Sequence, residues 1–168
     1  MEGKAVKILE THRLMAIATV RRDGWPQATM VGYANEGLLI YFVISRESQK
    51  FANIERDPRV SIVVGRDFED PKDIKALSIA AEASRVTDPN QRERAVDLVL
   101  ARHPVLTKLP RPNPAYAAVM RATCRVVTIL DYSKGFGHSD VLTISPGAPA
   151  GMEPARADDW GFLGRAPE

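Results

Sequence analysis

Leu38-Leu39-Ile40-Tyr41-Phe42-Val43-Ile44-Ser45 leads without a break into Arg46-Glu47-Ser48-Gln49-Lys50-Phe51-Ala52-Asn53-Ile54. The first segment is a run of branched and aromatic residues and reads as a strand. The second reads as a helix over 48–56, ending before Asp57-Pro58 because a residue followed by proline avoids the helical region. The first N–H groups of a helix have no partner inside it, and the aligned peptide dipoles make that end positive. Ser45, Arg46, Ser48 and Lys50 bring hydroxyls and charge to the same point. A strand that feeds such a helix end makes an anion site suited to a phosphate group.

Working outward, residues 2–11 read as a short amphipathic helix with Ala5, Ile8 and Leu9 on one face. Leu14 to Val20 reads as a buried strand, and Asp23-Gly24 as a tight turn. Pro26 opens the next strand, where a missing N–H is tolerated, and Gln27 to Tyr33 pairs back on the first. Asn35-Glu36-Gly37 is a second hairpin turn, so the first three strands form a meander. Downstream, Val60 to Val64 is a strand, 66–75 a charged loop containing Pro71, and Ala76 to Val86 a strand in which Leu77, Ile79 and Ala81 alternate with Ser78, Ala80 and Glu82. Asp88-Pro89-Asn90-Gln91 starts a helix: Asp88 caps, Pro89 suits the first position, and Gln91 can reach back. That helix stops at His103-Pro104, and 104–114, with four prolines, is a loop. Residues 114–120 read as one short helix and Arg125 to Tyr132 as the last strand. About six strands joined mainly by hairpins, with a few peripheral helices, predict an α+β, mainly β, antiparallel barrel. The expected domain is 1–145, followed by a Pro-, Gly- and Ala-rich tail over 146–168.

The chain has 168 residues and a formal net charge of +2, from 23 basic and 21 acidic residues. That balance argues against a nucleic-acid partner or an acidic membrane surface. Cys124 is the single cysteine, so an intrachain disulfide and a cysteine-type zinc site are both excluded. No apolar run reaches membrane-spanning length, and the N-terminus lacks an apolar signal core. The expectation is a soluble, cytoplasmic protein with no membrane partner and no metal.

Asp23-Gly24-Trp25-Pro26-Gln27, the strand ending in Tyr41-Phe42, then Ser48-Gln49-Lys50, Asn53-Ile54 and Asp57-Pro58-Arg59-Val60-Ser61 form an ordered set over residues 5–132. This set resembles the pyridoxamine 5'-phosphate oxidase-like, FMN-binding split-barrel family. The resemblance implies a split β-barrel that works as a homodimer with FMN in the cleft between subunits. It implies that Lys50 contacts the flavin phosphate with Ser48 and Gln49 beside it. It also implies that the strand backbone at Thr29, Met30 and Val31 faces the flavin ring, and that Tyr41 and Phe42 flank the ring or ribityl chain. Two departures stand out. An arginine that the oxidase carries three residues after the proline is Thr29 here, and the tail, Asp159 to Arg165, lacks the Arg-x-His element that grips the vitamin. The same framework resembles deazaflavin-dependent reductases, whose cofactor is also phosphorylated.

The implied activity is flavin oxidoreduction on a small-molecule substrate, with no catalytic side chain assigned. The alternatives are a deazaflavin reductase on the same fold and a non-catalytic flavin- or haem-binding protein. Tyr41 and Phe42 point to opposite faces of their strand, so one of them at most looks into a given cleft. Trp25 reads as an interface residue or a turn-tip aromatic; His12 and His103 read as surface residues at helix ends. His138, which follows Gly135 and Gly137 in 134–140, reads as a ligand-side donor or as part of a plain loop, and Trp160 as a cover for a partner's flavin or an anchor of the tail.

Overall fold

The computed structural model describes residues 1–144; the tail expected over 146–168, Trp160 included, lies outside them. The described elements run α1 (Glu2–Thr11), β1 (Leu14–Val20), β2 (Pro26–Glu36), β3 (Leu39–Ser45), α2 (Gln49–Arg56), β4 (Arg59–Val64), β5 (Lys75–Arg85), α3 (Pro89–Arg102), β6 (Ala117–Asp131) and β7 (Ser139–Thr143). The turns that fold the meander need glycine: Gly24 has φ +85° and Gly37 φ +57°, both in the left-handed region. The Gly24 N–H closes the first turn on the Arg21 carbonyl at 2.9 Å.

All strand pairs are antiparallel, in the order β3-β2-β1-β4-β5-β6-β7, and β3 also pairs with β6. That last pairing closes six strands into a barrel and leaves β7 as an annex on β6. Strand β6 is long enough to serve both. Ala117–Thr123 pairs with β3, Val126–Leu130 with β7, and Met120–Asp131 with β5 along the other edge. The hand-over falls at a bulge: Cys124 lies opposite Ala81 and Val126 opposite Ala80, so Arg125 has no opposite number.

The inner faces of the barrel carry Met15, Ile17, Tyr33, Ile40, Phe42, Ile62, Leu77, Ile79, Met120 and Ile129, all essentially without exposed surface. Helix α1 adds Ala5 and Leu9 to this core. The Tyr33 hydroxyl donates to the Leu9 carbonyl at 2.7 Å, and Arg102 donates to the carbonyls of Leu9, Glu10 and His12 at 3.1 Å each. Arg102 thereby satisfies the open C-terminal end of α1 from another helix. Helix α3 starts as its sequence predicts, with the Asp88 carboxylate accepting from the Gln91 N–H at 2.8 Å. It packs outside the barrel, where Ala95 and Val96 meet Val119, Tyr41 and Val43.

Two expectations are corrected. Residues 114–120 are not a helix. Tyr116 and Ala117 both donate to the Asn113 carbonyl, and the strand begins at Ala117. Ala118, Met120 and Ala122 fill the core while Val119 is buried under α3, so both faces are apolar and no alternation is visible in the sequence. Residues 125–132 are only the second half of that strand, and β7 follows it. The turn between them uses Gly135 and Gly137 at positive φ, so the 134–140 segment is largely a hairpin connection.

Candidate functional site

The start of α2 is ordered by its own hydroxyls. Ser48 is the N-cap: its Oγ accepts from the Phe51 N–H at 3.3 Å and donates to the Ser45 carbonyl at 2.7 Å. Ser45 Oγ accepts from the Glu47 N–H at 3.1 Å and keeps its own proton to give. Arg46 donates to the Pro114 carbonyl at 3.1 Å and lies 6.0 Å from the centre of the Phe51 ring. Ser48 is therefore spent on the helix, and Arg46 is tethered but not neutralised. Gln49 and Lys50 occupy the first two helical positions, and among the described residues their N–H groups have no partner. The Lys50 side chain is half-buried beside them.

Below this turn, α2 is pinned to the barrel by a buried amide. Asn53 is 2% exposed; its Nδ2 donates to Thr19 Oγ1 at 2.9 Å and to Gln27 Oε1 at 3.2 Å. Its Oδ1 accepts from Gln49 Nε2 at 3.0 Å. The first turn of α2 is thus held over the start of β2. Two positions along β2 from Gln27, the Thr29 hydroxyl is buried with no hydrogen-bond partner, an atom that the described residues leave unsatisfied.

Beside these residues the barrel is open. Strand β2 pairs with β1 from Pro26 to Gly32 but with β3 only from Tyr33 to Glu36. Strand β3 continues past Phe42 to Ser45 in contact with β6 alone. Tyr33 donates to the Arg13 carbonyl, toward β1. Alternation along an antiparallel strand then turns the backbone groups of Ala28, Met30 and Gly32 toward the unpaired edge. If the β2–β3 register ran on from the Tyr33–Phe42 pair, Met30 would stand opposite Ser45. The open edge of β2 and the donor-rich start of α2 are therefore at the same level of the barrel.

The outer face of the same sheet is apolar. Met30 on β2, Ala16 on β1 and Val63 on β4 lie abreast, with Leu14 further along β1. Met30 is 63%, Leu14 52% and Val63 49% exposed. The next row, Ala28, Ala18 and Ser61, is small and flat. Neighbouring exposed apolar residues on a sheet face are surface that water hydrates poorly.

The ten sequence-proposed cofactor residues divide accordingly. Thr29, Met30 and Val31 lie along the open edge, and Ser45, Arg46, Ser48, Gln49 and Lys50 lie around the helix start. Tyr41 and Phe42 do face opposite ways: Phe42 is wholly inside the core and Tyr41 packs under α3. Burial, with Glu36 nearby, pushes the Tyr41 hydroxyl above its usual pKa against the pull of Arg121 and Arg94, so it stays protonated at neutral pH. Thr19, Gln27 and Asn53 were not singled out as site residues. An asparagine in step with Ile54 on the buried side of a short helix was the available signal. Burial pushes the Cys124 thiol up to about 12 and its Sγ donates to the Leu38 carbonyl, so it is no nucleophile. Trp25 is exposed at the turn tip, and the His103 ring covers Gly32 while its Nε2 bonds the Tyr33 carbonyl at 3.0 Å. His138 pairs with Asp140 at 3.2 Å. Among the described residues no helix is long and apolar enough to cross a membrane, and no group of three or more His, Cys, Asp or Glu side chains is placed to hold a metal ion.

The known proteins that this chain resembles share this framework. General stress protein 26 of Bacillus subtilis (strain 168) is 35% identical over 69 residues, which is 41% of this chain and 49% of that protein. The match thus spans about half the length of that curated relative. The heme binding protein from Mycobacterium smegmatis superposes with a TM-score of 0.72 at 21% identity, covering 83% of this chain and 56% of that one. General Stress Protein 26 from Bacillus anthracis str. Sterne does so with a TM-score of 0.65 at 19% identity, covering 85% and 98%. At such identities the structures establish the fold, a mainly β split barrel. The sequence pattern described as pyridoxamine 5'-phosphate oxidase matches residues 1–129, which take in α1, the open edge of β2, the whole of α2 and most of β6. With more than half of its length inside that pattern, the chain belongs to the pyridoxamine 5'-phosphate oxidase family.

Proposed function

We propose that the chain is an FMN-binding oxidoreductase that acts as a homodimer on a small-molecule substrate. The observation that carries this reading is the gap between β2 and β3, which sets unpaired strand backbone at the level of the unpaired first turn of α2. The residues fit the cofactor. The N–H groups of Gln49 and Lys50, the Lys50 ammonium and the free proton of Ser45 are donors for a phosphate, with Arg46 adding charge. Backbone at Ala28, Met30 and Gly32 and the orphaned Thr29 hydroxyl suit the polar edge of a flavin ring. Bound FMN would supply hydride or electron transfer; the protein orients it, shields it and binds its phosphate. One barrel offers only one wall of such a site. A second copy packed on the Met30–Ala16–Val63 face would supply the other and cover the exposed apolar surface. The buried, single thiol suits a reducing cytoplasm.

The test is FMN titration of the purified chain and of Lys50→Ala. The expected loss is roughly 1.5–3 kcal/mol, or about 10- to 150-fold in Kd. Equal affinities would remove Lys50 from the site. The visible spectrum separates the cofactors: two flavin bands, the single shorter-wavelength band of a deazaflavin, or the intense Soret band of haem, the ligand in the name of the mycobacterial neighbour. A protein that takes up flavin tightly yet never oxidises a nicotinamide donor would be a carrier or sensor instead.

A further inference from the structure

A cavity lies at a different place on the barrel, under α1, and shares no residue with the β2–β3 gap. Its volume is about 520 Å³, within the usual range for a small-molecule site. Lys4 and Lys7 reach it from α1, Arg66 from the β4–β5 connection and Lys75 from the start of β5. Ile8, Phe68, Ile129 and Leu130 make its walls apolar, and the Arg66 guanidinium lies 4.9 Å from the centre of the Phe68 ring. Several cations elsewhere on the molecule are matched: Arg111 bridges Glu93 and Asp97, Arg125 meets Glu82, and Lys134 meets Asp140. Among the described residues none of the four cavity cations has a carboxylate within ion-pair distance. The one acid on the wall, Asp131, is buried and accepts from the Ser133 hydroxyl at 2.5 Å; that bond, helped by the charges of Lys75, Lys134 and Lys4, holds its carboxyl below the usual range, so it offsets only part of the cavity's positive charge. The wall also includes His12, whose Nδ1 sits 2.8 Å from the Ile8 carbonyl while its Nε2 is buried without a partner.

Four cations gathered around an apolar hollow with one already engaged carboxylate repel each other, and an anion placed among them relieves that repulsion. A bare ion would leave the Ile8, Phe68 and Leu130 walls wet. We propose that this cavity binds a small organic anion, an aromatic or other apolar body ending in a phosphate, sulfonate or carboxylate group. The anionic end sits among Lys4, Lys7, Arg66 and Lys75, and the apolar body lies against Phe68 and Ile129. Planar bodies are favoured, because the Arg66–Phe68 stack offers a flat cationic and aromatic surface. This site is independent of the cofactor reading and stands if that reading falls.

Phenyl phosphate is the probe, titrated into the ¹⁵N-labelled full chain and followed by amide chemical shifts. The expected result is saturable movement of amides in 4–12, 66–75 and 129–131, with inorganic phosphate and phenol each binding more weakly. Lys7→Gln combined with Arg66→Gln removes two exposed charges, leaves the core alone, and is expected to weaken phenyl phosphate by about tenfold or more. Binding of phenyl phosphate at the start of α2 is a separate event that moves amides near 48–51 and ignores that double variant. The proposal is overturned if the three segments do not respond, if the double variant binds equally well, or if inorganic phosphate binds as tightly as its phenyl ester.

Discussion

Replacing Asn53 by alanine tests the joint on which the site geometry rests. The side chain is 2% exposed and takes part in three hydrogen bonds, to Thr19, Gln27 and Gln49. Each such bond contributes about 0.5–1.5 kcal/mol net, so the three together are worth about 1.5–4.5 kcal/mol. Gln27 and Gln49 keep contact with water and recover part of their share. Thr19 is itself 2% exposed, so its hydroxyl loses a partner it cannot replace, at about 1–3 kcal/mol. Alanine returns about 0.7 kcal/mol through its better helix propensity. The balance is a loss of about 2–4 kcal/mol, read as a lower urea midpoint at an unchanged slope. The same variant frees the first turn of α2 from β2, so flavin affinity falls with it although residue 53 lies below the phosphate donors. Asn53→Asp sharpens the test: a carboxylate accepts from Gln49 but gives nothing to Gln27. Buried beside that acceptor, the carboxyl has a raised pKa in the folded state, so stability is lower at neutral pH and returns as pH falls through that raised value. A midpoint for Asn53→Ala within about 1 kcal/mol of the parent chain, or a slope change showing that α2 was never docked, refutes the reasoning.

The other expectations are simpler. Met30→Glu puts a charge at the centre of the apolar sheet face; sedimentation or size exclusion should report a monomer, flavin binding should fall, and circular dichroism should be unchanged. A variant that stays dimeric and keeps its flavin places the interface elsewhere. Asp88→Ala removes the cap of α3 and should lower stability by about 1 kcal/mol in urea, with no effect on flavin affinity. Cys124 should resist a thiol reagent at pH 8 until the chain unfolds. Burial raises its folded pKa from the ordinary thiol value of 9.0 to about 12, so its contribution to stability is full below pH 9 and drains away as pH rises from 9 toward 12. A lower melting temperature at pH 10 than at pH 8, diminished in Cys124→Ala, is the expected sign; identical pH profiles for the two proteins would contradict it.

Much of this fold is written in local signals. Gly24 and Gly37 mark turns that only positive φ allows, Asp88 and Ser48 cap the helices they precede, and Asp57-Pro58 ends α2 where it should. Signals of this kind depend on neighbours in the chain, so they are visible without the fold. Residues 114–120, expected as a helix, are illegible for the opposite reason. Ala118, Val119 and Met120 are all buried, between β3, β5 and α3, and a stretch buried on both faces shows neither period. The short strand β7 was missed because it exists to pair with the half of β6 that β3 leaves free. The candidate site was legible in halves. The helix start could be read from its dipole and its cluster of hydroxyls and charge, whereas Thr29 to Val31 entered only through resemblance to a family. Alternation tells which face a side chain takes and is silent on whether a strand's edge has a partner.

That unpartnered edge is one side of a split between β2 and β3. Strand β3 has two edges, and from Leu39 to Ser45 one of them is taken by β6 without interruption. Here β3 leaves β2 after Phe42, and β2 goes on with β1 alone. In an ordinary sheet, exposed backbone at such a gap is a liability that invites aggregation. In this barrel the gap falls at the point where α2 begins, and α2 is anchored by Asn53 to the strand that was left behind. The polar groups of the open edge and the unpaired amides of the helix thereby stand at one level of the barrel, which is the arrangement the proposed flavin site rests on. Closing the gap, by extending the β2–β3 ladder toward Met30 and Ser45, would mend the sheet and abolish the site.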